Sequence, residues 1–163
     1  MDIYLIRHAD ALPTGISGID TDEQRPLSEE GWKQAANLGK TFKKLGITFD
    51  TIVTSPLART QQTALQLRTM LELTESQVET RNELAPGGRP RKLARYMNGL
   101  TGQSIAMVGH QPDLSLYAGW LLGDKMIPIA FAKGGAALIR IDGTFGKAAG
   151  TLVWLVTPAW AVQ

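Results

Sequence analysis

The chain of 163 residues carries two histidines, His8 and His110, and each follows directly on a short apolar run. The first lies in LIRHADA with Arg7 before it, the second in MVGHQPD. A third apolar run ends in SPLARTQQTA and brings Arg59. Two guanidiniums held together suit a phosphoryl group, because their planar forks donate to its oxygens in pairs. Neighbouring like charge disfavours an imidazolium, so a histidine among arginines is held neutral. A neutral imidazole is a nucleophile, and histidine is one of the side chains that work by covalent catalysis. Zinc asks for three protein ligands in the right geometry, and arginines beside these histidines oppose a dication. The chemistry expected is phosphoryl transfer through a phosphohistidine, with no metal and no cofactor.

Such residues act only if the fold brings them to one place. Residues 2–7 form a near-continuous apolar strand, and a polar loop runs from Asp10 to Leu27. Ser28 is a fitting N-cap for a helix with Glu29 and Glu30 in its first turn. Its buried face is expected to hold Trp32, Ala35, Ala36, Gly39 and Phe42, and Gly46 ends it. A strand at 51–54 and a helix at about 57–73 follow; 75–90 shows little pattern. A short helix at about 91–97, a strand at 105–108 and a helix at 113–122 lead to two closing strands, 136–141 and 152–156. This alternation predicts an α/β fold, a three-layer α/β/α sandwich on a mostly parallel sheet with one antiparallel strand. In such sheets ligands bind beyond the carboxyl ends of the strands, where both histidines and Arg59 fall.

Length fits one domain, 1–163, with no repeat or linker to divide it. A net charge of +2 offers no basic stripe for nucleic acid. Zero cysteines exclude disulfides and thiolate nucleophiles, and no apolar run is long enough to span a bilayer. A soluble protein of the cytoplasm, with no membrane partner, is expected.

At the level of motifs, LIRHADA resembles the Arg-His-Gly signature of the histidine phosphatase superfamily, the phosphoglycerate-mutase-like proteins. SPLARTQQTA is similar to that family's second motif, VGHQPDLS to its third, and RNELAPGG to the segment bearing its acidic residue. RPLSEEG and VWLVTPAW also resemble family segments, and the pieces occur in family order along nearly the whole chain. The resemblance implies that His8 accepts the phosphoryl group, that Arg7 and Arg59 hold its oxygens, and that His110 is a second imidazole stabilising charge in the transition state. It implies Glu83 as general acid and later base. Ala9 departs from the usual Gly, so a glycine-only backbone conformation is not expected there. Glu83 departs too, being followed by Leu-Ala-Pro-Gly-Gly; its other reading is a solvated loop carboxylate.

Only 26 residues separate Glu83 from His110, too few for the cap insertion that encloses small substrates in the family's mutases and sugar phosphatases. The chain thereby resembles the minimal SixA group of phosphohistidine phosphatases, which implies a phosphohistidine-bearing protein as substrate. The alternatives are a small-molecule phosphomonoester phosphatase or mutase, and a phosphate-binding module without turnover. Arg25 either contacts the phosphate or pins the loop, and Asp10 either orients an arginine or caps a turn. Arg89, Arg91, Lys92 and Arg95 are either a solvated helix face or a docking surface for an acidic partner. Trp120, Trp154 and Trp160 are expected in core or edge packing.

Overall fold

The computed structural model describes residues 1–16 and 18–160. Its strands are β1 (Asp2–Arg7), β2 (Thr51–Thr54), β3 (Val78–Thr80), β4 (Ser104–Gly109), β5 (Ala136–Ile141) and β6 (Gly150–Val156). Its α-helices are α1 (Glu29–Lys44), α2 (Ala58–Met70), α3 (Pro90–Met97) and α4 (Asp113–Leu122). One six-stranded sheet runs in the order β3-β2-β4-β1-β5-β6. β1, β2, β3 and β4 pair in parallel, and β5 alone runs against the others, pairing antiparallel with both β1 and β6. The α/β/α sandwich with one antiparallel strand is the observed architecture. β3 is a strand of three residues in the stretch that shows little pattern; a run so short cannot display alternation.

Because successive side chains of a strand point to opposite faces, β1 and β4 each supply two cores. Ile3, Leu5, Ile105 and Met107 meet Leu93, Met97, Tyr117 and Leu121 of α3 and α4 on one face. Tyr4, Ile6, Ala106 and Val108 meet Leu38, Phe42, Ala64 and Leu67 of α1 and α2 on the other. Both faces are covered, which is why these strands read as continuous apolar runs. The buried stripe of α1 is Gly31, Ala35, Leu38, Gly39 and Phe42. Trp32 and Ala36, expected on it, are only half-buried, since the helix is turned toward Leu38. Trp120 is buried and Trp154 packs edge-on against Tyr4, whereas Trp160 is exposed, against expectation.

The connections leaving β1 and β4 diverge. From β1 the chain passes through α1 to β2 on one side of the sheet, and from β4 through α4 to β5 on the other. A crevice opens where neighbouring strands send their chains opposite ways, at their carboxyl ends. The loop that crosses this edge is tied to α1: Ser28 Oγ accepts from Gly31 N at 3.0 Å and donates to Asp10 Oδ2 at 2.6 Å. A Cβ on Gly31 would stand 1.9 Å from the Asp10 carbonyl oxygen. Gly31→Ala is therefore expected to destabilise the fold by about 1–3 kcal/mol, read as a lower urea midpoint; an unchanged midpoint would show that the loop gives way freely.

Candidate active site

Strand register brings the two histidines together. Arg7 of β1 pairs with Gly109 of β4, so the next residue of each strand, His8 and His110, leaves the sheet side by side. Their ring centroids are 5.3 Å apart. Thr54 of β2 pairs with Val108, which sets Ser55 beside Gly109, and Ser55 Oγ lies 2.8 Å from His110 Nε2. α2 starts three residues after Ser55, and its first turn carries Arg59.

Both nitrogens of the His8 ring are engaged. Nδ1 donates to the Ala9 carbonyl at 2.7 Å, a bond that only a protonated Nδ1 can make. Nε2 accepts from Arg59 Nε at 3.3 Å. The ring is thus the tautomer whose free lone pair sits on Nε2, turned toward the guanidinium. Ala9 itself is fully buried, has a negative φ, and its amide donates to Thr63 Oγ1 at 3.2 Å.

Burial pushes the His8 pKa down to about 4, with Arg59, Arg7 and Lys133 adding to the shift against the hydrogen bond to Ala9. His110 is pushed down to about 3 by burial first, then by Arg59 and His8. Both imidazoles are neutral at pH 7. The cations that matter are themselves buried or fixed. Arg7 Nη1 donates to the Phe131 carbonyl at 2.8 Å, and Arg59 is only 5% exposed. Among the described residues two buried polar side-chain atoms lack a partner, Arg7 Nε and His110 Nδ1. An unmade hydrogen bond of this kind costs about 1–3 kcal/mol, and a tetrahedral oxyanion has the acceptors to satisfy such groups.

Asp22, which sequence reasoning missed, accounts for the rest of Arg59. Its carbonyl accepts from Arg59 Nη1 at 2.6 Å and its Oδ2 from Nη2 at 2.8 Å. Arg25 holds Asp22 Oδ1 at 2.9 Å and donates to the carbonyls of Leu12 and Ala11 at 2.6 and 3.4 Å. Arg25 therefore pins the loop and reaches Arg59 only through Asp22, whose carboxylate Arg25 and then Arg59 hold below its usual range. Asp10 caps: it accepts from Ser28 and from Lys133 Nζ at 2.6 Å. Lys133 and Gly134, also missed, reach the site because β5 runs backwards and starts at this edge; Gly134 N donates to the His8 carbonyl at 3.1 Å. Only the topology places them. Ser55 was the more legible omission, since it directly follows a strand.

Glu83 is not brought into contact with either histidine or with Arg7 or Arg59. It sits in a 3-10 turn, Asn82–Leu84, one-quarter exposed, with Oε2 3.4 Å from Arg81 Nε. Its backbone is well fixed: Tyr117 Oη donates to the Glu83 carbonyl at 2.6 Å, and Asp113 accepts from Gly87 N at 3.3 Å. A Cβ on Gly88 would lie 2.1 Å from that carbonyl and 2.3 Å from Tyr117 Oη, so the glycine lets the segment wrap the tyrosine. These ties dock the Glu83 segment on α4, the helix that follows His110.

Residues 3–87 match the sequence profile of the histidine phosphatase superfamily (branch 1). The chain is 25% identical to the phosphohistidine phosphatase SixA of Escherichia coli K12 over 97% of its own length and 94% of that protein's. A solved structure of the protein histidine phosphatase SixA complexed with tungstate superposes with a TM-score of 0.84 at 25% identity, covering 98% of each chain. The alpha-ribazole phosphatase of Shigella flexneri shares the fold at 23% identity, with a TM-score of 0.75 and full coverage of both chains.

An oxyanion bound beside His8 must share Arg59 with the half-exposed Asp22 carboxylate. Asp22→Asn keeps the backbone contact to Arg59 and removes the competing charge. Inhibition by inorganic phosphate or vanadate is expected to tighten by at least about two- to fivefold, since an exposed ion pair has that range and here the Arg59 side is buried. Weaker inhibition would mean that the Asp22 carboxylate positions Arg59 more than it competes.

Proposed function

The chain belongs to the histidine phosphatase superfamily (branch 1), and from that premise we propose that it is a phosphatase that removes phosphate from phosphohistidine on a protein, through a covalent intermediate on His8. The observation that carries this reading is the state of the His8 ring. Its Nδ1 hydrogen is committed to Ala9 and its Nε2 lone pair lies against an arginine. In the first step Nε2 attacks phosphorus, the substrate's P–N bond breaks, and its imidazole leaves with the bond electrons. Arg7, Arg59 and His110 stabilise the charge gathering on the phosphoryl oxygens. Water then attacks the phosphorus on His8, the P–Nε2 bond breaks with its electrons returning to Nε2 as the lone pair, and the water proton passes to a phosphoryl oxygen of the released inorganic phosphate.

Leaving-group chemistry supports a phosphohistidine. An imidazole already protonated at its other nitrogen departs neutral and needs no acid, whereas an alkoxide does. Glu83, which makes no contact with the histidines, is then the acid for oxygen esters only. Access supports a protein substrate. Between Glu83 and His110 the chain builds α3 and β4 and little else, which leaves no insertion to enclose a small molecule. The similarity to SixA over nearly the whole of both chains points the same way.

Incubation with a phosphohistidine protein is expected to leave an acid-labile phosphoryl label on the wild type and none on His8→Ala, with phosphate released by the wild type alone. No label and no release from any phosphoprotein or ester would favour a binding module; efficient turnover of a phosphosugar with none of phosphohistidine would favour a small-molecule phosphatase. The pH profile follows from the His8 pKa. The nucleophile must be neutral, so kcat/KM on an aryl phosphate should not lose its nucleophile between pH 7 and pH 5 and should fall as pH drops through about 4. An acid limb near the ordinary histidine value of about 6.5 would contradict the burial of the ring among guanidiniums.

A further inference from the structure

Beside Glu83 the surface turns more strongly basic than the Arg89–Arg95 cluster of the linear sequence displays. Arg89, Arg91 and Lys92 at the start of α3 share a groove of about 570 Å3 with Lys125, from the α4–β5 connection, and Lys147, from the β5–β6 turn, over the buried Trp120. The same concave surface continues through Lys92 to Glu83, Arg81 and Arg95. It gathers seven of the chain's seventeen cationic side chains and one of its fifteen carboxylates. The remainder of the chain carries ten cations against fourteen carboxylates, so a net charge of +2 conceals a basic face on an acidic body.

Among the described residues, six of the ten cations elsewhere are held in ion pairs, whereas six of the seven on this face are not. Lys33, Lys43, Lys133, Arg140, Arg25 and Arg59 each hold a carboxylate. Arg89, Arg91, Lys92, Arg95, Lys125 and Lys147 are exposed and make no ion pair among the described residues. Arg81 lies 3.9 Å over the Tyr96 ring and is spent partly on Glu83. Six unpaired like charges on one face repel one another, and an acidic surface laid against them relieves that repulsion. The face is also too long for a small substrate. From Asp113, which anchors the Glu83 segment, to Trp120 the helix α4 alone rises about 10 Å, beyond a phosphomonoester bound at His8.

We propose that this face, from Arg81 to Lys147, is the docking surface for the acidic flank of the phosphorylated protein that the site dephosphorylates. The inference rests on the protein-substrate reading above and adds where and by what charge that protein is held. Charge placed at such a rim acts mainly on association, so it raises kcat/KM at low salt and leaves kcat nearly untouched.

The test compares two substrates, p-nitrophenyl phosphate and a histidine phosphotransfer domain of net negative charge, phosphorylated with phosphoramidate. Lys125→Glu/Lys147→Glu, remote from both histidines, should lower kcat/KM on the phosphodomain about tenfold or more at about 50 mM salt. The loss should shrink at about 500 mM, and hydrolysis of the ester should not change. Lys40→Glu/Lys44→Glu on α1 matches the charge change on the opposite face and should have little effect. The proposal is overturned by an unchanged phosphodomain rate, by equal losses from the two double variants, or by a parallel loss on the ester. A raised KM for the ester alone would assign the groove to a small anion and also overturn it. A wild type that hydrolyses the ester but no phosphodomain would remove the protein-substrate reading itself, a failure visible before any variant is made.

Discussion

Pairing Arg7 with Gly109 across β1 and β4 obliges the chain to carry two imidazoles out of the sheet next to each other. Two buried histidines 5.3 Å apart cannot both be charged beside arginines, and burial alone already removes the charge from each. That constraint leaves two neutral imidazoles in a cationic pocket. The charge stays on the guanidiniums, and the lone pair stays on His8 Nε2. A shift of one residue in the register would move every apolar side chain of β1 to the wrong face, so the core that fixes the fold also fixes the site. The same acidity has a cost. Both histidines bind protons more readily in the unfolded chain, so their contribution to stability is complete above about pH 6.5 and is lost as pH falls through about 4 and about 3.

Around this pair the molecule distributes its carboxylates with consistent effect. Asp10 takes Lys133 and Ser28 and locks the entry of α1, while Asp22 takes Arg25 and Arg59 and locks the loop to α2. Each holds a cation near the two histidines without a hydrogen bond to either ring. Arg7, by contrast, has only a carbonyl as partner and keeps its full charge for a ligand. Across the sheet edge the Leu-Ala-Pro-Gly-Gly segment performs a mechanical role, wrapping Tyr117 and holding Glu83 within the basic face.

Much of this was legible in the sequence because it rests on short-range signals. Apolar runs buried on both faces announced β1 and β4, and charge directly after each run announced the edge where Arg7, His8 and His110 emerge. The Ser28 cap and the acids behind it fixed the start of α1. What stayed hidden depends on contacts between distant segments. β3 pairs only with β2 and is too short to carry a period. Asp22 looks like any loop carboxylate until α2 presents Arg59 to it. Lys133 arrives through a reversed strand, and Lys125 and Lys147 join Arg91 across gaps that no local pattern spans. Arg25 shows the opposite limit: a cation of the right type near the right place, turned by two carbonyls toward the loop.

Under the proposed function the Ala9 carbonyl, by holding the Nδ1 hydrogen, makes Nε2 of His8 the atom that carries phosphate. Phosphorylation of 15N-histidine-labelled protein, followed by 15N and 31P NMR of the trapped phosphoenzyme under alkaline denaturing conditions, tests this directly. One phosphoryl group on Nε2 of His8 is the result expected. Phosphate on Nδ1 of His8, or on His110, would contradict it.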